Sequence, residues 1–314
     1  MPTSSDRLRR RLRLRDLDTF MAVAASGGMR KAAEQLHLSQ PAISKAISDL
    51  EHALGVRLFD RSRRGVEPTL YGRTLLKHGR ALFDGLSQAV GELEFLADPS
   101  SGELSFGCSE TISAGLAAAV IAGLWKRQPR LVFNVESGDA PVLLLHFLRE
   151  RSCELVIARP YGGRIDPDLD VIPLFRERMS VVVGPEHRHA KRRKLSLGEL
   201  ADDPWILSRN ELLPGSPVVA TFDRAGIDLP RNRVVSGSLN LRYGLLATRG
   251  AVTVVPDSLL RFAPNRGALK LLPLELPLWD QHTSIITLKG RTLSPVAELF
   301  IAATKSLASV LAVQ

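Results

Sequence analysis

The sequence has little cysteine, no apolar run long enough to cross a membrane, and none of the common catalytic motifs. Its two cysteines, Cys108 and Cys153, lie far apart and lack Cys-x-x-Cys or Cys/His spacing, which argues against a metal site and a disulfide framework. The longest uncharged run, residues 111–125, is shorter than the roughly 18 residues of a membrane helix. Nucleophile-elbow, P-loop, metalloprotease and dinucleotide-binding motifs are missing. We therefore expect no enzyme, no cofactor and no metal.

Residues 17–54 carry three apolar stripes at helical spacing, and each stripe is followed by a helix stop. The second stripe stops at His37-Leu38, Ser39 is a good N-cap for the third helix, and Pro41 falls in a first turn where a missing N–H costs nothing. This pattern predicts a helix-turn-helix over residues 29–48. The stripes are Leu17, Phe20, Met21 and Ala24; Met29, Ala32, Ala33 and Leu36; and Ile43, Ala46, Ile47, Leu50 and Leu54.

The opposite face of the third helix is polar, and a basic hairpin follows it. Short or flexible polar side chains of this kind suit base edges and phosphates in a major groove. Residues 59–68 read as a β-hairpin, or wing, with Gly65 at its tip, where arginines meet phosphates or a minor groove. The candidate DNA contacts are Gln40, Ser44, Lys45 and Ser48 of the helix and Arg61, Arg63 and Arg64 of the wing.

Positive charge is concentrated in the same part of the chain. The net charge is +9, and residues 1–80 contain 16 Lys and Arg against 8 Asp and Glu. A phosphate-binding surface requires such an excess. Six arginines, Arg7, Arg9, Arg10, Arg11, Arg13 and Arg15, also crowd the start of the sequence. They are either a basic arm that adds phosphate contacts or a solvated tail (the start codon being assigned too early is a further possibility).

The run from Leu14 to Tyr71 resembles the LysR-type transcriptional regulators. The resemblance is carried without a gap by Leu17-Asp-Thr-Phe20, Ala32-Ala-Glu-Gln-Leu-His37, Ser39-Gln-Pro-Ala-Ile-Ser44, Ile47-Ser-Asp-Leu-Glu51, Leu58-Phe-Asp-Arg61 and Thr69-Leu-Tyr-Gly72. It implies that Ser39, Gln40, Pro41, Ser44 and Lys45 face DNA and that Arg61 or Arg63 contacts DNA from the wing. One departure is Gly28, where the family usually has a capping Ser or Thr; glycine is an acceptable N-cap.

A long helix is predicted from about Thr69 to Leu96, followed by a hinge. Its leucines recur at heptad positions, which is too narrow and regular a stripe for a helix buried in a globular core. The pattern predicts pairing with the same helix of a second subunit, although its first turns are expected to pack on their own winged helix. The resemblance also implies a dimer, and a tetramer is left open. The expected dimerisation residues are Leu75, Leu82, Leu86 and Leu93.

From Glu103 onward, short strands alternate with helices. Strands at 104–108, 131–135 and 155–158 enclose helices at 112–127 and 141–151, which predicts a parallel sheet, and a second set follows from Ser180. The resemblance implies a two-lobed α/β domain like a periplasmic binding protein, in which the chain crosses near Arg178 and returns near His282. A final helix at 295–313 would return to lobe one.

Ligands of open α/β sheets sit beyond the carboxyl ends of strands. Several hydroxyls there open helices, whose free N–H groups favour an anion, and Arg209 is suited to clamp a carboxylate. Glu110 and Asp139 argue the other way, since they are able to occupy those helix ends themselves. An organic acid and a sugar-derived effector therefore both stay open. The candidate residues are Ser109, Glu110, Thr111, Ser137, Asp139, Ser208, Arg209, Ser236 and Ser238.

The sequence thus predicts a cytoplasmic transcription regulator that binds double-stranded promoter DNA, a small-molecule effector and another copy of itself, but no membrane; RNA polymerase is an open further partner. The alternatives are a constitutive DNA-binding protein and an enzyme that uses the C-terminal cleft. The expected domains are a tail at 1–12, a winged helix at 13–70, a linker helix at 71–97, a hinge at 98–102 and an effector domain at 103–314. Lobe one would hold 103–177 and 282–314, and lobe two 178–281.

Overall fold

The structure is a computed structural model that describes residues 12–62, 65–159, 166–248, 250–262, 269–279 and 282–312. The predicted basic arm up to residue 11 and the wing-tip residues Arg63 and Arg64 lie outside the described residues. The chain divides into two compact units after Ser87.

The first unit is a winged helix-turn-helix. Its helices are α1 (Leu14–Ser26), α2 (Met29–Gln35) and α3 (Gln40–Leu54), and its hairpin pairs β1 (Phe59–Ser62) with β2 (Gly65–Pro68). Gly55 ends α3 in the left-handed conformation, at φ 71°, which glycine adopts without steric cost. Gly28 is the N-cap residue of α2, as the sequence predicted, and α2 therefore begins without a side-chain capping hydrogen bond.

The core of this unit is built from the predicted stripes. Phe20, Ala32, Ile43 and Ile47 are fully buried, and the rings of Phe20 and Phe59 lie 5.0 Å apart. Small side chains on α2 let the helices approach closely. The buried side of α3 is therefore fixed, and the opposite side of the same helix faces outward.

A 28-residue helix, α4 (Leu70–Ala97), follows the wing. At its start a Cβ on Gly72 would lie 2.2 Å from the carbonyl oxygen of Leu58, so only glycine fits there. Leu75 packs against the winged-helix core, as expected of the first turns, so this member of the predicted dimerisation set is already used in its own unit. Leu82, Leu86 and Leu93 are 46%, 47% and 67% exposed.

The second unit contains two five-stranded sheets, one in each lobe. The strands are β3 (Ser101–Cys108), β4 (Arg130–Ser137), β5 (Leu155–Ala158), β6 (Leu169–Arg176), β7 (Met179–Val183), β8 (Trp205–Leu207), β9 (Arg233–Val235), β10 (Val252–Pro256), β11 (Lys270–Glu275) and β12 (His282–Leu288). Sheet one has the order β4-β3-β5-β12-β6 and sheet two the order β11-β7-β10-β8-β9.

The helices of this unit cover the sheets, and two of them contain π-helical turns. The first helical run is α5 (Glu110–Ile112), a π segment (Ser113–Ala117) and α6 (Ala118–Trp125); the second is α7 (Ala140–Val142) and a π segment (Leu143–Leu148). Lobe two has 3₁₀ turns at Leu197–Leu200 and Asn210–Leu212 and the helices α8 (Pro217–Ala225), α9 (Leu239–Ala247) and α10 (Asp257–Phe262); α11 (Pro295–Ala312) ends the chain.

The two-lobed prediction is confirmed, and the three strands predicted for lobe one are parallel to one another, but the sheet also contains an antiparallel strand. β3 runs parallel to β4 and β5, whereas β12 runs antiparallel to both β5 and β6. The strands β6, β11 and β12 were not predicted. The chain returns from lobe two and begins β12 beside the carboxyl end of β5. Because β12 starts where β5 ends, it runs antiparallel to β5. β3 also begins at Ser101, which leaves only residues 98–100 between it and α4.

Candidate DNA-binding and effector-binding sites

The candidate recognition helix α3 begins with a capped turn. The Oγ of Ser39 accepts a hydrogen bond from the backbone N–H of Ala42 at 3.3 Å, and Pro41 occupies the first turn. Ser39 is thus already used as the N-cap that the sequence predicted. The remaining free N–H groups of this turn favour an anion such as a DNA phosphate.

The polar face of α3 is accessible over its N-terminal half. Gln40, Lys45 and Ser48 are exposed and Ser44 is half-buried. Since Ile43 and Ile47 on the other side are fully buried, this helix has no freedom to rotate. The structure therefore brings Gln40, Ser44, Lys45 and Ser48 together on one accessible surface, which is the arrangement that reading a major groove requires.

The wing is tied to the recognition helix through one carboxylate. Glu51 of α3 accepts hydrogen bonds from the backbone N–H groups of Leu58, at 2.7 Å, and Phe59, at 3.3 Å. Within the hairpin, Arg61 pairs with Val66. The backbone of Arg61 is therefore set by the same helix that carries the candidate base contacts.

The second unit holds a cavity of about 290 Å³ between its two lobes. Seven of the nine predicted effector residues line it, and Arg209 and Ser236 are not among the described residues that do. Arg209 is exposed at the start of a 3₁₀ turn. The seven are Ser109, Glu110, Thr111, Ser137, Asp139, Ser208 and Ser238.

Three of the six predicted hydroxyls cap the helical turn that they begin. Ser109 Oγ accepts from the N–H of Ile112 at 3.4 Å and lies 3.1 Å from Thr111 Oγ1. Ser238 Oγ accepts from the N–H of Leu241, and Ser208 Oγ accepts from that of Glu211. These side chains fix the helix ends around the cavity, and their oxygens are partly committed before any ligand binds.

The two predicted carboxylates join the lobes. Glu110 of lobe one accepts a hydrogen bond from the backbone N–H of Leu239, at the first turn of α9 in lobe two. Asp139 accepts from the Nδ2 of Asn210, also in lobe two, at 3.2 Å. A carboxylate at a helix N-terminus is favoured by the helix dipole. These two acidic side chains therefore occupy hydrogen-bond donors of lobe two that an anionic ligand would otherwise bind.

The cavity also contains a buried ion pair that the sequence analysis missed. Arg242 Nη2 donates to both carboxylate oxygens of Glu211, at 3.2 and 2.9 Å, and Arg242 Nη1 donates to Thr253 and to the carbonyl of Val254. Glu211 in turn accepts from the N–H of Ser208 at 2.6 Å. Nothing in the sequence marks this pair, because its members come from a 3₁₀ turn and a helix 31 residues apart.

A second buried carboxylate lies where the chain passes between the lobes. Glu177 accepts hydrogen bonds from the backbone N–H of Ser258, at 3.2 Å, and from its Oγ, at 2.8 Å. Burial raises the pKa of Glu177 to about 6, and the charge of Arg159 opposes that shift. Arg159 directly follows β5, so the rule that ligands bind beyond strand ends would have identified it.

Cys108 lies at the end of β3 in the core of lobe one, and Cys153 is also buried. Burial raises the pKa of the Cys108 thiol to about 12 and that of Cys153 to about 11. Since the thiolate is the reactive form, both thiols are expected to be inert at neutral pH.

We therefore predict that iodoacetamide at pH 7.5 labels neither cysteine in the folded protein and labels both after unfolding in urea. Intact-mass spectrometry over a time course measures this directly. Fast labelling of Cys108 in the folded chain, or its oxidation by dilute peroxide, would instead support a redox-sensing role.

Among the described residues, no helix is long and apolar enough to cross a membrane. Within the same parts of the chain, no group of three or more His, Cys, Asp or Glu side chains is placed to hold a metal ion.

Comparison with known families agrees with both halves of this description. Residues 14–73 match the bacterial regulatory helix-turn-helix family of LysR type, and residues 97–309 match the LysR substrate binding domain. These two matches correspond to the winged helix and to the two-lobed unit.

Similar proteins and structures cover almost the whole chain. The transcriptional regulator GbpR of Azospirillum brasilense is 32% identical over 303 residues, which is 95% of this chain and 87% of GbpR. A full-length OxyR variant from Pseudomonas aeruginosa has a TM-score of 0.63 at 22% identity, over 94% of this chain and 95% of the other. Full-length CbnR in complex with its target DNA has a TM-score of 0.62 at 21% identity, over 94% and 99%. The chain therefore belongs to the LysR family of transcriptional regulators, with an N-terminal helix-turn-helix domain and a C-terminal LysR substrate-binding domain.

Proposed function

We propose that this regulator binds promoter DNA through its winged helix and that a small-molecule effector in the lobe cavity controls its DNA-bound state. The observation that supports this most is the cavity itself, since a constitutive DNA-binding protein needs no 290 Å³ chamber lined by buried polar groups. We assign the winged helix to residues 13–70, the linker helix to 71–97, the hinge to 98–102 and the effector domain to 103–314; the last two residues of this hinge also form the start of β3.

The proposed DNA contacts follow the accessible face of α3 and the wing. Gln40, Ser44, Lys45 and Ser48 would reach base edges and phosphates, and the first turn at Ser39 and Pro41 would lie against the backbone. Arg61, Arg63 and Arg64 would add contacts from the wing. That CbnR, a protein of similar fold, is solved on its target DNA supports this mode of docking.

The first experiment is a titration of the purified protein against the intergenic DNA upstream of its own gene, across a salt series with random competitor DNA. Specific binding with a steep salt dependence is the expected result, because several phosphates are neutralised. Binding that is weak and blind to sequence would count against a regulator of that promoter. Addition of candidate effectors to the same assay separates ligand control from constitutive binding, in which no small molecule changes the DNA-bound state.

We further propose a cytoplasmic, non-enzymatic protein that acts as a dimer or a dimer of dimers and that contacts RNA polymerase at its promoters. The two buried thiols suit a reducing compartment. Relatives of this chain are transcriptional regulators, which supports binding without chemistry as its activity.

The linker helix supplies the proposed dimer contact. Leu82, Leu86 and Leu93 are exposed at heptad positions, and apolar side chains repeated at this spacing gain stability when two such helices pair. Lys77 and Ser87 are exposed on the opposite side of the same helix and provide a matched control.

We predict that glutaraldehyde cross-links the full chain into a dimer at low protein concentration. The cross-link should disappear when Leu82→Asp and Leu86→Asp are added, because two buried carboxylates would separate the helices. Lys77→Asp with Ser87→Asp should leave it intact. Denaturing gel electrophoresis measures all three, and a cross-link that survives Leu82→Asp with Leu86→Asp would refute the heptad interpretation.

A further inference from the structure

Four residues that line the lobe cavity carry a buried polar atom with no hydrogen-bond partner among the described residues. One is Arg242, whose Nε has no partner although both of its Nη atoms are bound. The other three atoms are the Nε of Arg159, the Nε1 of Trp279 and the Oγ1 of Thr283. Trp279 is 5% exposed and Thr283 is 1% exposed, so these atoms are built into the wall of the cavity and are not surface groups. Leaving such a group unsatisfied is unfavourable, because its desolvation is not compensated by a hydrogen bond.

The three residues form one cluster. The guanidinium carbon of Arg159 lies 4.7 Å from the centre of the Trp279 ring, which holds its planar group against the indole. The antiparallel register pairs Ser284 of β12 with Ala158 of β5, so the next residues along the two strands, Thr283 and Arg159, are neighbours at the end of the sheet.

The other charged groups of the cavity already have partners. Arg242 is bound by Glu211, and Glu177 is bound by Ser258. Glu110 and Asp139 are used in the bonds between the lobes. Arg159 is close enough to Glu177 to influence its ionisation, yet no ion pair to Arg159 forms within the described part of the chain. Its guanidinium is thus the cation in this cavity that still lacks an acceptor.

The donor content of the cluster decides which ligand group it suits. Guanidinium and indole offer N–H donors and no acceptor, and a hydroxyl is able to donate as well. A carboxylate accepts at about four lone-pair positions and brings no donor of its own. A sugar hydroxyl would bring a donor that needs an acceptor, and the Thr283 oxygen is the one acceptor that this cluster offers. A planar guanidinium also matches a carboxylate in shape and charge.

The cluster is also placed where the chain passes between the lobes. The backbone N–H of Trp279 donates to the backbone carbonyl of Glu177 at 3.2 Å. Arg176 Nε donates to the backbone carbonyl of Trp279 at 3.0 Å. Trp279 precedes β12 and Glu177 precedes β7, so both connections between the lobes meet at this point. A ligand held here would contact the segments that set how the lobes are arranged.

We propose that Arg159, Trp279 and Thr283 form a carboxylate-binding subsite and that the effector is a small organic acid. This proposal rests on the proposed effector function and narrows its ligand class. The carboxylate would accept from Arg159, from the Trp279 indole and from the Thr283 hydroxyl.

The test uses the full chain and a panel of paired probes: benzoate with benzamide, succinate with succinamide, and the neutral sugars arabinose and galactose. Isothermal calorimetry measures binding. We expect at least one carboxylate to bind and its amide to fail. Arg159→Met should lower the affinity for that carboxylate about 10- to 100-fold, because a charge-assisted hydrogen bond is lost. Arg209→Met removes an exposed guanidinium that does not line the cavity and should change nothing.

Two further variants protect the test against misfolding. Trp279→Phe removes the indole N–H and Thr283→Val removes the hydroxyl, while both keep most of the side-chain volume. Each variant should lower the affinity for the carboxylate several-fold. Equal binding of acid and amide, unchanged affinity in Arg159→Met, or no binding of any acid would overturn the carboxylate assignment. A sugar that binds and alters the DNA-bound state would overturn it while leaving the effector function intact, and the DNA titration tests that function independently.

Discussion

Replacement of Ser44 and Lys45 by alanine is expected to abolish specific DNA binding and to leave the fold unchanged. Both side chains lie on the accessible face of α3, opposite the buried Ile43 and Ile47. A side chain that reads a base contributes about 1–3 kcal/mol of discrimination, so the loss of two lowers specific affinity by roughly 30-fold to more than 10³-fold. Alanine is the best helix former, so α3 itself should not suffer.

A gel-shift titration with promoter and random DNA measures this loss as a ratio of affinities. The matched control is Thr74→Ala with Lys77→Ala, which removes the same two functional groups from exposed positions of α4. If Lys45 contacts a phosphate, the salt slope of the double variant should also fall by about one. If the double variant binds the promoter as tightly as the unmodified chain does, the assignment of α3 as the recognition helix is wrong.

Loss of Glu211 is expected to be the most destabilising single change at the effector cavity. The Glu211→Ala variant would leave the guanidinium of Arg242 buried without its counter-ion, and the N–H of Ser208 would lose its acceptor. Removal of one member of a buried ion pair costs about 3–5 kcal/mol. Replacement of both members, by Glu211→Met with Arg242→Met, should cost less than Glu211→Ala, because no buried charge is left behind.

Tryptophan fluorescence in urea isolates this effect, since Trp125, Trp205 and Trp279 all belong to the second unit. The control is Arg192→Ala, which breaks an exposed pair with Glu199, and it should change the free energy of unfolding little, because exposed ion pairs contribute little to stability. A Glu211→Ala variant as stable as this control would show that the ion pair contributes little to the effector domain.

The local elements of both units were predictable, because each depends on neighbours within a few positions of the chain. Ser39, Pro41 and Gly55 mark the ends of α3 by chemistry that acts over one helical turn. The same holds for the Ser109 and Ser238 caps. The strands β6 and β12 were missed because their pairing joins residues more than a hundred positions apart, as in the contact of His282 with Arg176.

The sequence by itself determined the family, through its resemblance over residues 14–71. Apolar periodicity and capping residues along the chain determined the helix-turn-helix, the heptad stripe and the two sets of strands and helices in the second unit. Only the tertiary structure decided which polar groups of the cavity form hydrogen bonds with each other. It placed Glu110 on the first turn of α9, paired Arg242 with Glu211, and left Arg159, Trp279 and Thr283 with unmet donors. Hydrogen bonds between distant segments have no sequence period, so which donor remains free depends on the folded geometry.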